Sequence, residues 1–258
     1  KNHTLEADVI KQRLEQGIDE RKDYEVIIPS FPINQCYTNL TYNTTVSLYS
    51  SPPIAISAAL KKTQKKNIYI CTGSQMICGG GADQGLNVKE SYLYLTSTYS
   101  VTIEKFIHAF PIPIGNIIVC PNVLVFKDIN YNLLQPSDWM KIAVANAPLK
   151  FRPTVNIKDL DTTTYDERLF DKNTFMDTHY VQKIRQNLIG TIEASLFLGY
   201  DHIVLDDLGV MENGMPAHQT AAIILEVMQQ FKGRVAAFYI AVDKARVFDV
   251  FKWYFTSS

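Results

Sequence analysis

Three short segments carry the side chains whose types and spacing could do chemistry. The first is Gly79-Gly80-Gly81, set between an apolar strand-like run and a helical one. Consecutive glycines let backbone N–H groups approach an anion closely, and a following helix N-terminus adds positive potential there. A plain tight turn has the same composition, so this segment alone leaves both readings open. The second is Lys89-Glu90-Ser91: a cation, a carboxylate and a hydroxyl in adjacent positions at a helix start. Glu90 reads equally well as a first-turn carboxylate favoured by the helix dipole and as a ligand contact. Lys89, one position away, is expected to hold Glu90 ionised. No motif places a His or Lys base beside Ser91, so a nucleophilic serine is not expected. The third is Asp206-Asp207-Leu208-Gly209-Val210, leaving another strand end. Its two carboxylates read as loop and cap residues. As metal ligands they lack a third partner, and no metal is expected.

The elements around these segments follow from periodicity. Apolar runs predict strands at 25–29, 67–72, 116–120, 123–126, 141–145, 202–205 and 235–240, with the pair 116–126 broken at Pro121-Asn122. Helices are expected over 4–21, 53–60, 87–98, from Val181 to Gly199, and from Pro216 to about Phe231, with a final amphipathic piece through Trp253. Residues 31–52 read as loops or edge strands, and 146–176 as an exposed excursion. Strand–helix alternation with apolar strands implies a three-layer α/β/α fold on a mostly parallel mixed sheet, one domain over 1–258 with an N-terminal helical extension. In such sheets ligands bind beyond the carboxyl ends of the strands.

Composition excludes several classes. The net charge of −1 gives no global pull toward nucleic acid or an anionic membrane, and the 27 Tyr and Phe form no stripe suited to stacking bases. No apolar run reaches membrane-spanning length. Cys36, Cys71, Cys78 and Cys120 form no CxxC pair, so the chain reads as intracellular rather than secreted, without zinc and without a cofactor. Trp139 and Trp253 read as packing anchors.

The order of motifs carries more than any one of them. Gly79-Gly-Gly-Ala-Asp-Gln-Gly-Leu-Asn-Val-Lys-Glu-Ser91 resembles the signature of the microbial-type poly(ADP-ribose) glycohydrolases, in which three glycines and a spacer precede Gln-Glu-Glu. Cys120-Pro-Asn-Val-Leu-Val-Phe-Lys-Asp128 is similar to that family's Ser-Pro-X-Val-X-X-Phe-Arg-Asp strand, and 184–241 resembles its closing elements. The resemblance implies a macro-domain sheet with ADP-ribose above the strand ends. It places Gly79, Gly80 and Gly81, with Gly209 and Val210 of a second loop, at the diphosphate, and a general acid on the second glutamate.

This chain departs from that pattern where the chemistry resides. Ser91 stands at the acid position, Lys89 replaces the glutamine, and Ile77 replaces a ribose-contacting asparagine. A hydroxyl is far too weak an acid to replace the carboxyl group, and loss of such a group slows a reaction by about 10²–10⁴-fold or more. Asp206 and Asp207 replace small residues in the second loop and are expected to repel a diphosphate by roughly a kcal/mol or more each. The expectation is a degenerate glycohydrolase-like domain, acting either as a reader of ADP-ribose or a related nucleotide or as a protein-interaction module. The alternative is an active hydrolase using Glu90.

Overall fold

A computed structural model describes residues 25–27, 41–84, 88–113, 116–149, 155–156 and 165–256. The helix expected over 4–21 lies outside the described residues. Seven strands form one sheet: β1 (Glu25–Ile27), β2 (Thr45–Tyr49), β3 (Asn67–Ser74), β4 (Ile117–Val125), β5 (Met140–Leu149), β8 (His202–Asp206) and β9 (Ala237–Ala241). Their spatial order is β1-β4-β5-β3-β8-β9-β2. The run from β5 to β2 is parallel, while β4 is antiparallel to both β5 and β1. Two short strands, β6 (Val155–Asn156) and β7 (Phe175–Met176), pair separately.

Alternation along the central strands sorts their side chains to two faces. Ile68, Ile70, Ala143, Ala145, Ile203, Leu205, Phe238 and Ile240 point into one core, and Tyr69, Cys71, Val144, Val204 and Tyr239 into the other. Helix α5 (Thr178–Phe197) supplies Val181, Ile184, Leu188 and Ile192 to the first core, joined there by α7 (Ala217–Gln230) and α8 (Ala245–Thr256). Helix α1 (Pro53–Lys62) closes the second core with Ile54, Ile56 and Leu60, together with Leu93 of α2 (Val88–Thr96) and Tyr99 and Ile103 of α3 (Tyr99–Ile103). Both faces are covered, which gives the three-layer arrangement. The short helices α4 (Tyr165–Arg168) and α6 (Val210–Asn213) lie in connections.

Three expectations are corrected. Pro121-Asn122 does not separate two strands: β4 continues through it, the ladder to β5 slipping between Cys120 and Val123. An outward bulge lets proline sit in a strand without breaking it. The excursion expected from 146 begins later, because Asn146–Leu149 complete β5 and are buried. Trp253 is 61 % exposed, resting edge-on against Tyr254, rather than a buried anchor.

Candidate functional site

Because β3 and β8 are parallel neighbours, their carboxyl ends lie side by side, and the loops leaving them must meet. They meet through charge. Lys89, in the first turn of α2, sends its ammonium to the Asp207 carboxylate beyond β8. The Asp207 side chain is fully buried, and that of Lys89 is 8 % exposed. Burial alone would lower the lysine pKa, but Asp207, Asp206 and Glu212 overcome it and hold the ammonium firmly charged. Asp206 is also fully buried. It accepts hydrogen bonds from Tyr69 Oη at 3.0 Å, Thr72 Oγ1 at 2.8 Å and the Leu208 N–H at 2.7 Å. Burial, with Asp207 beside it, still raises its pKa against the pull of Lys89.

The second loop thereby binds its own anions. Asp207 accepts from the Gly209 N–H at 2.9 Å, as Asp206 does from Leu208. Each aspartate thus satisfies a backbone amide two residues ahead of it within its own loop.

Glu90 faces elsewhere, and here the expected pairing with Lys89 fails. Successive helical residues point about 100° apart, so adjacent side chains do not meet. Glu90 is 0 % exposed. Its Oε2 accepts from the Ser74 N–H at 2.6 Å, and its Oε1 from Tyr99 Oη at 3.1 Å and Asn146 Nδ2 at 2.9 Å. Burial pushes its pKa up to about 7, and those three donors limit the rise. Lys89 thus does not hold it ionised; removal from water favours its neutral form. Ser91 follows it into the interior at 5 % exposure, and its Oγ has no hydrogen-bond partner.

Asn146 and Tyr99 are the site residues that sequence reasoning missed. Asn146 Nδ2 also donates to Tyr99 Oη at 2.6 Å, which locks both around Glu90. The signal was a lone asparagine inside the apolar run Lys141-Ile-Ala-Val-Ala-Asn-Ala147, which a strand tolerates only when the amide has buried partners. Gly73 leaves it room: a Cβ there would lie 2.3 Å from Asn146 Oδ1.

The glycine loop uses a backbone conformation that favours its residue type. Gly79, Gly80 and Gly81 all have left-handed backbones, with φ of 71°, 66° and 70°. A Cβ on Gly79 would come within 2.5 Å of the Tyr94 ring on α2. We expect Gly79→Ala to destabilise the protein by about 1–3 kcal/mol through left-handed strain plus this clash, measured by urea unfolding. An unchanged midpoint would show that the loop relaxes freely. Gly209 is left-handed as well, at φ 73°, and opens α6. Val210 is wholly buried in the first core, so only its backbone could face a ligand.

Among the described residues no group of three or more His, Cys, Asp or Glu is placed to hold a metal ion. Cys71 and Cys120 are buried among apolar residues outside any disulfide, and burial beside Glu90 and Glu104 pushes Cys78 to about 12. No described helix is long and apolar enough to cross a membrane. A cavity of about 140 Å³ opens beyond the carboxyl ends of β2, β3, β8 and β9, between Pro53, Lys89, Tyr92, Tyr131, Glu212 and Asp243.

No protein-family model matches the chain, and no curated protein matches it. Solved structures do. A poly(ADP-ribose) glycohydrolase from Thermomonospora curvata superposes with a TM-score of 0.70 at 17 % identity, over 95 % of this chain and 89 % of the other. The same organism's enzyme bound to the inhibitor ADP-HPD gives 0.67 at 16 %, covering 94 % and 88 %. The Deinococcus radiodurans glycohydrolase in complex with ADP-ribose gives 0.65 at 16 %, covering 84 % and 86 %. The mixed seven-stranded sheet between two helical layers, its paired loops at the strand ends and these superpositions agree: the chain has the macro-domain fold of the microbial poly(ADP-ribose) glycohydrolases.

Proposed function

We propose that this chain is a degenerate glycohydrolase-like macro domain that has lost efficient cleavage and acts by binding, with ADP-ribose or a related nucleotide held weakly at most. The observation that carries the reading is the second loop's use of Asp206 and Asp207 to satisfy the Leu208 and Gly209 amides. A diphosphate would have to displace two buried carboxylates, one of them paired with Lys89. Beside it, the hydroxyl of a serine at the acid position is far too weak an acid to protonate a leaving oxygen.

The competing reading, an active hydrolase with Glu90 as acid, has one feature in its favour: a pKa near 7 suits proton transfer. Geometry counts against it. Both Glu90 oxygens are engaged by internal donors and the side chain is out of reach of solvent. A general acid must come within about 3 Å of the oxygen it protonates.

Incubation of the purified protein with poly(ADP-ribose) is expected to release no ADP-ribose above background. Turnover that disappears in Glu90→Gln would establish the hydrolase instead. In a parallel thermal-shift titration, millimolar ADP-ribose is expected to raise the melting temperature by no more than a degree or two. Submicromolar affinity would overturn the weak-binding reading, since a ligand at 100 times its Kd adds about 2.7 kcal/mol of stability.

A further inference from the structure

The cavity beyond the strand ends has the opposite character from an anion cradle. Among the described residues its lining contains one cation, Lys89, already committed to Asp207, and two carboxylates, Glu212 and Asp243. Oε2 of Glu212 is buried with no hydrogen-bond partner, and so is Oδ2 of Asp207 behind Lys89. Asp207, Asp206 and Glu212 therefore act on a single ammonium, and Asp243 adds its charge beside Glu212. A metal ion fits poorly, because the other described residues of the wall are apolar or aromatic. Tyr92 and Tyr131 meet edge to face there, their centroids 5.5 Å apart at 66°. Pro53 and Ile129 extend the same wall.

Tyr131 is held in place at some expense of backbone energy. Its φ is 64°, unusual for a bulky residue, and Asp128 Oδ1 fastens the turn by accepting from the Asn130 and Asn132 N–H groups at 2.8 and 2.9 Å. The ring is 50 % exposed and borders the cavity mouth. A half-exposed aromatic ring above a negatively charged, apolar-walled cavity is the arrangement that attracts an alkylated ammonium ion. Aromatic rings attract such a diffuse charge, and no oxygen needs to strip a tight hydration shell.

We infer that this cavity is a binding site for a small organic cation of the quaternary ammonium class. Glu212 and Asp243 supply the countercharge, and Tyr92 and Tyr131 form the aromatic wall. The inference does not depend on whether a diphosphate binds, and an ADP-ribose titration of the same sample reads that question separately.

Calorimetric titration of the full chain with choline at low ionic strength tests it. Choline is expected to bind saturably with one site. Its neutral isostere 3,3-dimethylbutan-1-ol should bind at least about tenfold more weakly, the equivalent of about 1.4 kcal/mol. Asp243→Asn and Tyr131→Ala change exposed residues, and an unchanged melting temperature checks that each variant folds; each is expected to weaken choline at least about threefold. Absence of saturable choline binding overturns the site. So does equal binding of the neutral isostere, which would leave only an apolar hole, or choline affinity untouched by both substitutions.

Discussion

Lys89→Met is expected to destabilise the protein by about 3–5 kcal/mol at pH 7.5, the range for stripping the partner from a buried charge. Methionine keeps the apolar stem and its packing, so the loss isolates the ammonium. Without it, Asp207 and Asp206 remain as fully buried carboxylates, with Glu212 nearby. The sign of the pH dependence follows from the raised acids. Burial raises the pKa of both Asp206 and Glu212, with Asp207 adding to the rise and Lys89 opposing it. With Lys89 gone they protonate more readily still, so the deficit should shrink as the pH is lowered toward 5. Guanidinium unfolding at several pH values checks this. The double variant Lys89→Met/Asp207→Asn removes both charges while the asparagine oxygen can still accept from Gly209. It should be markedly more stable than the sum of the single losses allows, as expected for groups in direct contact. Strict additivity, or a loss below about 1 kcal/mol for Lys89→Met, would show that the two loops are not tied by this pair.

Glu90 should make the fold less stable as the pH rises. Its carboxyl sits at about 7 in the folded chain against 4.5 for a free one. Between those values the folded state keeps a proton that the unfolded chain has released. The contribution is thus fully present below about pH 4.5 and is lost as pH rises through 7. The difference between about 7 and 4.5 corresponds to about 3 kcal/mol at most. Glu90→Gln should flatten that slope. Asn146 can accommodate the amide, because its own Oδ1 is buried without a partner and a flip of the side chain would present it to the new NH₂ group. The measurement is the difference in unfolding free energy between the two proteins at pH 4.5, 6 and 8. A constant difference would mean that Glu90 stays ionised, as its proximity to Lys89 in sequence had suggested. Tyr99→Phe removes one of the three donors and should raise the Glu90 pKa further, shifting the same curve to higher pH.

Much of the architecture is legible in local pattern. Apolar runs mark β3, β8 and β9; Gly199, with φ 80°, stops α5 as a left-handed glycine should. Where local pattern misled, a nonlocal partner was the cause. Proline 121 looked like a break, yet β5 carries the strand past it on a bulge. Asn146 looked like the end of a strand, since asparagine is disfavoured there, yet Glu90, 56 residues away, makes its amide a required donor.

By itself the sequence determined the main strand and helix order among the described residues, the glycine turn at 79–81 and the absence of a carboxylate at position 91, because each depends only on residue type and near neighbours. Only the tertiary structure decided which charges meet. Lys89 reaches Asp207 across 118 residues, and Glu90 turns its back on the lysine beside it. The physical reason is that electrostatic and hydrogen-bond partners are chosen by distance in space and by exclusion of water, and the parallel pairing of β3 with β8 sets both.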